Sequence, residues 1–280
     1  FRTSEPVQKS GVTIGDYFYP AYKGSDDHYR CLFAFPYNLD PGQDEPLVLV
    51  VDRAGNAKQS GFNYHVNTRE FDQTVINIPD RFLQTKMSHF QDLYPTVTDK
   101  LELFLKVNQD LREANRKRLR EIGLETSSKP LWSGRFLRQK GARKSGFASR
   151  RTYLYQGKEI DRQTHLGVDI ASLARARVLA ANSGRVVFSD WLGIYGQVVI
   201  IDHGLGLQTL YAHLSERRAG KGDLVEKGEI IGRTGATGLA GGDHLHFAVL
   251  VSGLPVNPIE WWDQNWVENN IAGKISGLKK

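Results

Sequence analysis

Four short runs of alternating residues in the second half of the chain constrain its fold more than any other feature. Each run is rich in β-branched or aromatic residues and is bounded by turn residues, which is typical of strands joined by tight turns. They are RVVFSD (185–190), GQVVIIDHG (196–204), LQTLYAHLS (207–215) and HLHFAVLVSG (244–253). They predict a compact, mostly antiparallel β domain over residues 129–280.

The first part of the chain shows a similar strand pattern and then changes period. Between Val12 and Pro79, the runs GVTIGDYFYPAY, YRCLFAFPY, PLVLVVDRAGN and TVINIP are separated by turn residues and predict a small β-sandwich. We therefore expect a mainly β protein with a first β domain over residues 1–79. The single cysteine, Cys31, excludes an internal disulfide, and its apolar neighbours indicate a buried strand position.

After Pro79, apolar residues recur at helical spacing until Pro95, and a second helical run ends at Gly123. These runs predict helices over residues 80–94 and 97–122, with Thr96 as the cap of the second. We expect the two helices to form a hairpin that, with a linker, occupies residues 80–128.

The net charge of the chain limits the classes of partner that it is expected to bind. The net charge of +6 and the isoelectric point near 9.3 suit an anionic polymer, either nucleic acid or cell wall. The densest basic stretches, residues 115–120 and 135–151, are expected to be a solvated helix face and a solvated loop. No nucleic-acid recognition motif accompanies them, so we expect no nucleic-acid partner. The chain begins at Phe1 rather than Met, as a processed or trimmed protein would.

Two short segments carry pairs of polar residues that packing does not explain. In HLGVD, we expect one extended segment to place His165 and Asp169 on the same face. In DHLHF, His244 and His246 share a face for the same reason. A fifth polar residue, His213, lies on the alternating strand LQTLYAHLS.

These five residues together are typical of a catalytic metal site. Such a zinc site uses three imidazole or carboxylate ligands and leaves a fourth position for water, whose pKa the metal lowers toward about 7. The two surplus residues are informative because a hydrolase also has to move protons and stabilise an oxyanion. No HExxH motif supplies a glutamate, so we expect histidine to do both. Isolated histidines such as His65, His89 and His203 are expected to lie at the surface or to be hydrogen-bonded.

From about Trp132 to Trp262, the sequence resembles the LytM/lysostaphin-type zinc endopeptidases that cut peptidoglycan cross-links. The matching motifs occur in the family's order: HLGVD (165–169), YGQVVIIDHG (195–204), TLYAHLS (209–215), KGDLVEKGEIIGRTGATG (221–238), HLHF (244–247) and VNPIEWW (256–262). The resemblance implies an antiparallel β catalytic domain of the duplicated hybrid motif type.

The resemblance also implies roles for the five polar residues. His165, Asp169 and His246 would bind one Zn²⁺, while His213 and His244 would be the catalytic residues beside the water and the substrate carbonyl. The implied reaction is hydrolysis of a peptide bond in peptidoglycan stem peptides by metal-activated water. Which of the two catalytic histidines is the general base, and which peptide bond is cut, stay open.

The family's substrate groove implies further lining residues. Tyr195 and the turn TGATGLAGGD (234–243) are candidates, although the glycines of this turn are explained equally well by tight turns alone. The strands of residues 11–79 resemble the immunoglobulin-like modules that precede this catalytic domain in some envelope proteins. In several relatives a preceding segment blocks the zinc cleft, and residues 80–123 are positioned in the sequence to do so.

An alternative function is a regulator without catalytic activity. Some relatives have lost metal ligands and act as activators of cell-wall amidases, whereas all five residues are present here. For either function, the resemblance implies the bacterial cell envelope, and the absence of an evident wall-targeting module after Trp266 favours the periplasm. A membrane anchor or an envelope partner is expected to lie outside this chain.

Overall fold

A computed structural model of the protein describes residues 1–276, so the last four residues of the expected 129–280 domain lie outside the described part. The fold is mainly β, as predicted, and nearly all strand pairs are antiparallel. Within the described residues, no helix has both the length and the apolar character that a membrane span requires.

The strands before the helices are β1 (Val7–Ile14), β2 (Tyr17–Pro20), β3 (Tyr22–Lys23), β4 (Tyr29–Arg30), β5 (Leu47–Asp52), β6 (Ala57–Gly61) and β7 (Gln73–Asn77). The helical segment comprises α1 (Asp80–Met87), a 3-10 helix (Ser88–Leu93), α2 (Lys100–Lys106), a π-helical turn (Val107–Leu111) and α3 (Arg112–Ile122).

The strands after the helices are β8 (Ala142–Ser145), β9 (Ser149–Tyr155), β10 (Lys158–His165), β11 (Val168–Ala171), β12 (Arg177–Leu179), β13 (Gly184–Trp191), β14 (Gln197–Gly204), β15 (Leu207–Leu214), β16 (Glu216–Arg217), β17 (Leu224–Val225), β18 (Ile230–Arg233), β19 (Leu245–Val251) and β20 (Leu254–Val256). A 3-10 turn (Gly193–Tyr195) separates β13 from β14. The described chain ends in α4 (Pro258–Trp262), α5 (Gln264–Val267), a π-helical turn (Glu268–Ala272) and α6 (Gly273–Ser276).

The first strands form one four-stranded antiparallel sheet in the order β2-β1-β5-β6. The predicted strand YRCLFAFPY is wrong beyond Arg30, because residues 31–36 have no regular structure. Cys31 is half-buried outside the strands, and burial raises the pKa of its thiol to about 12, so it is not a reactive thiol. The immunoglobulin-like character of this region stays a prediction.

β7 joins a different sheet from the one expected. TVINIP was grouped by its pattern with the preceding strands, yet β7 pairs in parallel with β9, in a three-stranded sheet of order β10-β9-β7. This pairing joins β7, which precedes the helices, to the β9–β10 hairpin, which ends at His165.

The helical segment lies where the periodicity placed it, and the second helix ends at Gly123 as expected. The predicted cap at Thr96 is wrong. Asp99 is extended, and its carboxylate accepts a 2.7 Å hydrogen bond from the Glu102 amide, so the helix begins at Lys100. The two helices contact each other through the rings of Phe82 and Phe104, whose centroids are 6.3 Å apart.

The largest sheet has the order β17-β13-β14-β15-β19-β11-β8, and β20 pairs with the free part of β19. Its central strands are buried on both faces, which explains their nearly continuous apolar sequences. Alternate residues belong to two cores. Val199, Phe247 and Val249 pack in the first core with the β1 residues Val12 and Ile14.

The second core lies on the opposite face of the same strands and is shared with the helices. It joins Leu210, Ala248 and Leu250 of the sheet to Phe104 and Leu119 of the helical segment, among other residues. The helices therefore cover one face of the large sheet. The division of the chain into domains at residues 79 and 128 stays a prediction.

Candidate metal centre

The strand register brings two of the candidate ligands together on the helix-covered face of the large sheet. β11 pairs with β19 so that Asp169 lies directly opposite His246, and β15 places Ala212 on the other side of His246. His244 precedes β19 and forms an isolated bridge with Gly235. His244 and His246 face the same side, as their spacing predicted, because both lie within 3.6 Å of the Asp169 carboxylate.

The approach of His165 to Asp169 differs from the prediction. In one extended segment, the Cα atoms of residues four apart are separated by about 13 Å, which keeps their side chains apart. His165 Nε2 nevertheless lies 2.9 Å from Asp169 Oδ1. The expected continuous strand is wrong: β10 ends at His165, and β11 begins at Val168. Gly167 lies in this turn, where an added Cβ would be 2.6 Å from the His246 ring. The turn therefore needs glycine so that the ligand-bearing strands can approach each other.

A β-bulge directs His213 into the site. Between Tyr211 and Leu214, β15 has one residue more than β14, and His213 has a φ of 61°. Strict alternation would place His213 on the opposite face from Ala212. The bulge places both on the helix-covered face, with the His213 ring centroid 4.9 Å from that of His244. A strained backbone at a chemically active side chain is typical of functional sites.

Three of these side chains fit a divalent metal ion. His165 Nε2, Asp169 Oδ1 and His246 Nδ1 lie within 3.0 Å of one another. Two imidazoles and one carboxylate are a donor set that zinc prefers. Of the described residues, this His-Asp-His cluster is the group that could hold a metal ion.

Hydrogen bonds fix the orientation of three of the histidine rings. His165 Nδ1 is 2.9 Å from the Gly146 carbonyl, His213 Nδ1 is 2.9 Å from the Thr237 carbonyl, and His244 Nδ1 is 2.8 Å from the Gly242 carbonyl. A carbonyl can only accept, so each Nδ1 carries the proton and each Nε2 points toward the site. Metal ligands are commonly oriented by outer hydrogen bonds of this kind.

Burial and charge set the protonation of the site. Burial, aided by the nearby His244 and His246, holds the pKa of His213 well below its usual value, so His213 is neutral. Burial also lowers the pKa of His246 to about 4, although the hydrogen bond that the ring donates to Asp169 opposes this shift. Burial favours a protonated Asp169, but the neighbouring histidines outweigh it and hold the pKa of Asp169 well below its usual range. Asp169 is therefore a carboxylate.

Arg151 is a site residue that the sequence did not reveal. Its guanidinium donates a 2.8 Å hydrogen bond to Asp169 Oδ2 and a 2.9 Å bond to the Ser145 hydroxyl. The basic stretch 135–151 was predicted to be solvated, which is wrong for this residue. The available signal was the alternation of β9, which turns Arg150 outward and Arg151 inward.

The five residues lie at one side of a cavity of about 360 Å³. Tyr195 lines it, and its ring centroid is 5.6 Å from that of His246. Leu239, Ala240 and Gly241 of the predicted groove turn also line the cavity. Gly238 of the same turn has another role: it has a φ of 67°, and an added Cβ would be 2.4 Å from the Gly196 amide.

The other side of the cavity comes from the preceding segments of the chain. Ile76 and Ile78 at β7, Phe82 of α1, Phe104 of α2 and Arg112 of α3 line the same cavity as the metal centre. The helical segment thus lies over the site, and its effect on access to the cleft stays a prediction.

The isolated histidines behave as expected. His65 and His89 are exposed. His203 is fully buried, and its two ring nitrogens lie 2.7 Å from the Ser183 carbonyl and 2.8 Å from the Thr209 hydroxyl. None of the three contributes to the cavity.

Comparison with known proteins gives this arrangement its class. Residues 163–258 match the model of Peptidase family M23. The chain is 42% identical over 95 residues to the DD-carboxypeptidase/endopeptidase Mpg of Neisseria meningitidis serogroup B (strain ATCC 13091 / M2091), across 34% of this chain and 22% of that protein. It is 35% identical over 95 residues to the murein hydrolase activator EnvC of Escherichia coli (strain K12), across 34% of this chain and 23% of that protein.

The whole fold also has a counterpart. The crystal structure of an M23 peptidase candidate from Pseudomonas aeruginosa superimposes with a TM-score of 0.54 and 17% identity, over 93% of this chain and 90% of that chain. The likeness at this identity concerns the fold alone, and the matches to Mpg and EnvC span less than a quarter of the lengths of those two proteins. The fold is shared with that structure, and this part of the chain is similar in sequence to M23 peptidases. Over residues 163–258, it is a domain of peptidase family M23, of the LytM type.

Proposed function

We propose that the chain is a zinc-dependent endopeptidase that hydrolyses peptide cross-links of bacterial peptidoglycan. The observation that carries this proposal is the convergence of three ligand atoms within 3.0 Å, beside two further histidines, at the wall of one cavity. Structural metal sites use four protein ligands, whereas three ligands beside proton-transfer groups suit a hydrolase. The names of the curated relatives support peptidoglycan as the substrate.

The metal would be held by His165 Nε2, Asp169 Oδ1 and His246 Nδ1. When bound there, zinc supplies a Lewis acid that acidifies water and polarises a peptide carbonyl. Arg151 fixes the second oxygen of Asp169, which leaves Oδ1 directed at the two imidazoles.

His213 is proposed as the general base. Thr237 holds the proton on its Nδ1, so Nε2 is free to accept a proton from the attacking water and to return it to the leaving amine. The enclosed position of His213 keeps the ring neutral, which a base requires. The bulge holds the ring in place.

His244 is proposed to stabilise the oxygen of the peptide carbonyl as negative charge develops on it. Its ring is centred 4.9 Å from that of His213, so the two rings flank the same position. Its Nε2 lies toward the metal centre, 3.6 Å from Asp169 Oδ1. With Nδ1–H held by the Gly242 carbonyl, the protonated form of the ring carries a second N–H at Nε2, and a hydrogen bond donated from there would strengthen in the transition state.

The decisive experiment uses purified sacculi and the zinc-loaded chain, with released muropeptides identified by mass spectrometry. Conversion of cross-linked dimers to monomers by the wild type, but not by His244→Ala or in the presence of a chelator, is the expected result. An unchanged dimer fraction with zinc bound would contradict the proposal.

A second candidate is a regulator that lacks turnover, and the identity to an activator named EnvC favours it. It predicts stoichiometric zinc, no muropeptide release, and faster sacculus hydrolysis when a cell-wall amidase is added. For either function we propose the bacterial envelope, and the periplasm in particular, as the location, testable by cell fractionation of the producing bacterium.

A further inference from the structure

Arg112 places a positive charge in the cavity without a carboxylate to neutralise it. It is the first residue of α3, and its side chain lines the cavity that contains the metal centre. Asp169 is the one acidic side chain among the described residues that line this cavity, and Asp169 pairs with Arg151. Both arginines face the cavity, but only Arg151 has an ionic partner there.

The guanidinium of Arg112 is held in a fixed position by neutral groups. Its Nε donates a 3.0 Å hydrogen bond to the Asn108 carbonyl, and one terminal nitrogen donates to the Asn108 side-chain oxygen. Asn108 is itself fully buried, and its amide donates a 2.7 Å hydrogen bond to Asp161. These contacts occupy Nε and one terminal nitrogen, which leaves donors on the other terminal nitrogen.

The surroundings make this charge costly unless an anion joins it. Ile76, Ile78, Phe82 and Phe104 line the same cavity, so water screens the guanidinium weakly. Burial lowers the pKa of Arg112, which reflects this cost. Arg112 is half-buried, and a charged side chain enclosed in this way is ordinarily paired with an opposite charge.

We infer that Arg112 binds a free carboxylate on the substrate residue adjacent to the scissile bond. This inference rests on the proposed function, which places the reacting carbonyl at the metal centre in the same cavity. A guanidinium matches a carboxylate in shape and charge. The carboxylate has two possible sources with the same chemistry: the carboxyl terminus of a peptide, or an α-carboxylate left free where a cross-bridge is formed through a side-chain amine.

Binding of a defined peptide pair tests the inference. The probes are N-acetyl-D-alanyl-D-alanine and its C-terminal carboxamide, titrated calorimetrically into the full zinc-loaded chain carrying His244→Ala to prevent turnover. The free acid is expected to bind about 10- to 100-fold more tightly than the amide, since the pair contains a hydrogen bond between two charges. Equal affinities for acid and amide would overturn the inference.

Substitutions at position 112 assign the preference to this residue. Arg112→Gln should abolish the difference between acid and amide, and Arg112→Lys should retain part of it. Arg116→Gln is the matched control, because Arg116 lies one turn further along α3, pairs with Glu113 and does not line the cavity. A preference that persists in a folded Arg112→Gln variant would overturn the inference. If Arg112→Gln folds poorly, Arg112→Lys replaces it, because it keeps the charge but not the planar fork, and an acid preference equal to that of the wild type would then overturn the inference.

Hydrolysis by the chain with His244 intact distinguishes the two sources. Faster cleavage of a cross-linked dimer with a free α-carboxylate than of its amidated form would identify the cross-bridge. Discrimination confined to the dipeptide acid would identify the chain terminus. Equal binding of acid and amide by the chain with Arg112 intact, together with muropeptide hydrolysis, overturns the Arg112 inference alone. Retained acid preference with no muropeptide hydrolysis overturns the endopeptidase function alone.

Discussion

The β14–β15 hairpin holds a buried histidine near each of its ends, and the two histidines have opposite surroundings. Near the turn, His203 has a partner within the protein for each ring nitrogen, and the neighbouring Asp202 accepts hydrogen bonds from Thr126 and Ser127. Near the open end, His213 has one bonded nitrogen, and its other nitrogen faces the cavity.

The difference shows that burial alone does not mark a functional histidine. Both histidines are shielded from water. Near the turn, however, hydrogen bonds within the protein satisfy both ring nitrogens of His203. At the open end, His165 Nε2, Asp169 Oδ1 and His246 Nδ1 point at one another within 3.0 Å at the wall of the cavity. Unused bonding capacity directed into a cavity is therefore the mark of the site.

The largest expected effect separates Asp169, which lies at the metal centre beside the open end of the hairpin, from Asp202, which lies near the turn of the hairpin. Asp169→Asn removes a charged ligand, so zinc occupancy and muropeptide release should fall by more than about 100-fold, the upper cost of losing an outer partner of a ligand. Asp202→Asn should keep full zinc occupancy and lower the melting temperature. Metal analysis measures the zinc content of the two variants, and the sacculus assay measures their muropeptide release. Normal zinc content in Asp169→Asn would refute the ligand assignment.

A glycine substitution tests whether backbone approach positions the site. Gly167→Ala would place a Cβ 2.6 Å from the His246 ring and displace it. We expect about a 100-fold loss of hydrolysis, the size associated with misplacing a catalytic group by about 1 Å. Gly61→Ala in β6 is the control, because an added Cβ there meets nothing within 4 Å. Equal rates for the two variants would show that the turn tolerates a side chain.

A smaller effect on zinc binding is expected when Arg151, which pairs with Asp169 Oδ2, is replaced. Arg151→Gln removes the ion pair to Oδ2, and zinc affinity should fall by about 10-fold to 100-fold. Arg150→Gln is the matched control on the exposed side of the same strand. Competition with a zinc chelator measures the affinities, and the idea fails if both variants hold zinc as tightly as the wild type.

The smallest effect on hydrolysis, and a defined effect on stability, is expected at His203. Burial lowers its pKa from 6.5 to about 4, so the unfolded chain binds a proton that the folded chain excludes. The neutral His203 therefore contributes about 3 kcal/mol to the free energy of unfolding above pH 6.5. This contribution is lost as the pH falls from 6.5 toward 4. Urea unfolding at pH 7 and pH 4.5 should show a steeper loss for wild type than for His203→Gln. Parallel losses would contradict the assigned pKa.

More of the site residues than of the surrounding structure that positions them could be predicted from the sequence. The spacing predicted that His244 and His246 share one face, and the strand-like segments around them singled out His165, Asp169 and His213 as candidates; the structure gathers all five. For His244 and His246, strand geometry turns a local pattern directly into positions, whereas His165 approaches Asp169 through a turn and His213 enters the site through a bulge.

Features that depend on distant partners could not be predicted in this way. The bulge at His213 exists only in the register between β14 and β15, and the need for glycine at position 167 appears only once the His246 ring is packed against it. The parallel pairing of β7 with β9 and the inward direction of Arg151 likewise depend on chain neighbours far away in sequence. Alternation indicates a strand but not its partner.

The core shared by the helices and the large sheet sets the size of the unit that protein engineering can transfer. The segment that matches the family model, residues 163–258, contains Ile200, Leu210 and Leu250, whose cover comes partly from α2 and α3. Grafted alone onto another protein, this segment would present an apolar sheet face to water and self-associate. A transferable catalytic module has to include the helices, or supply an apolar surface of equal extent.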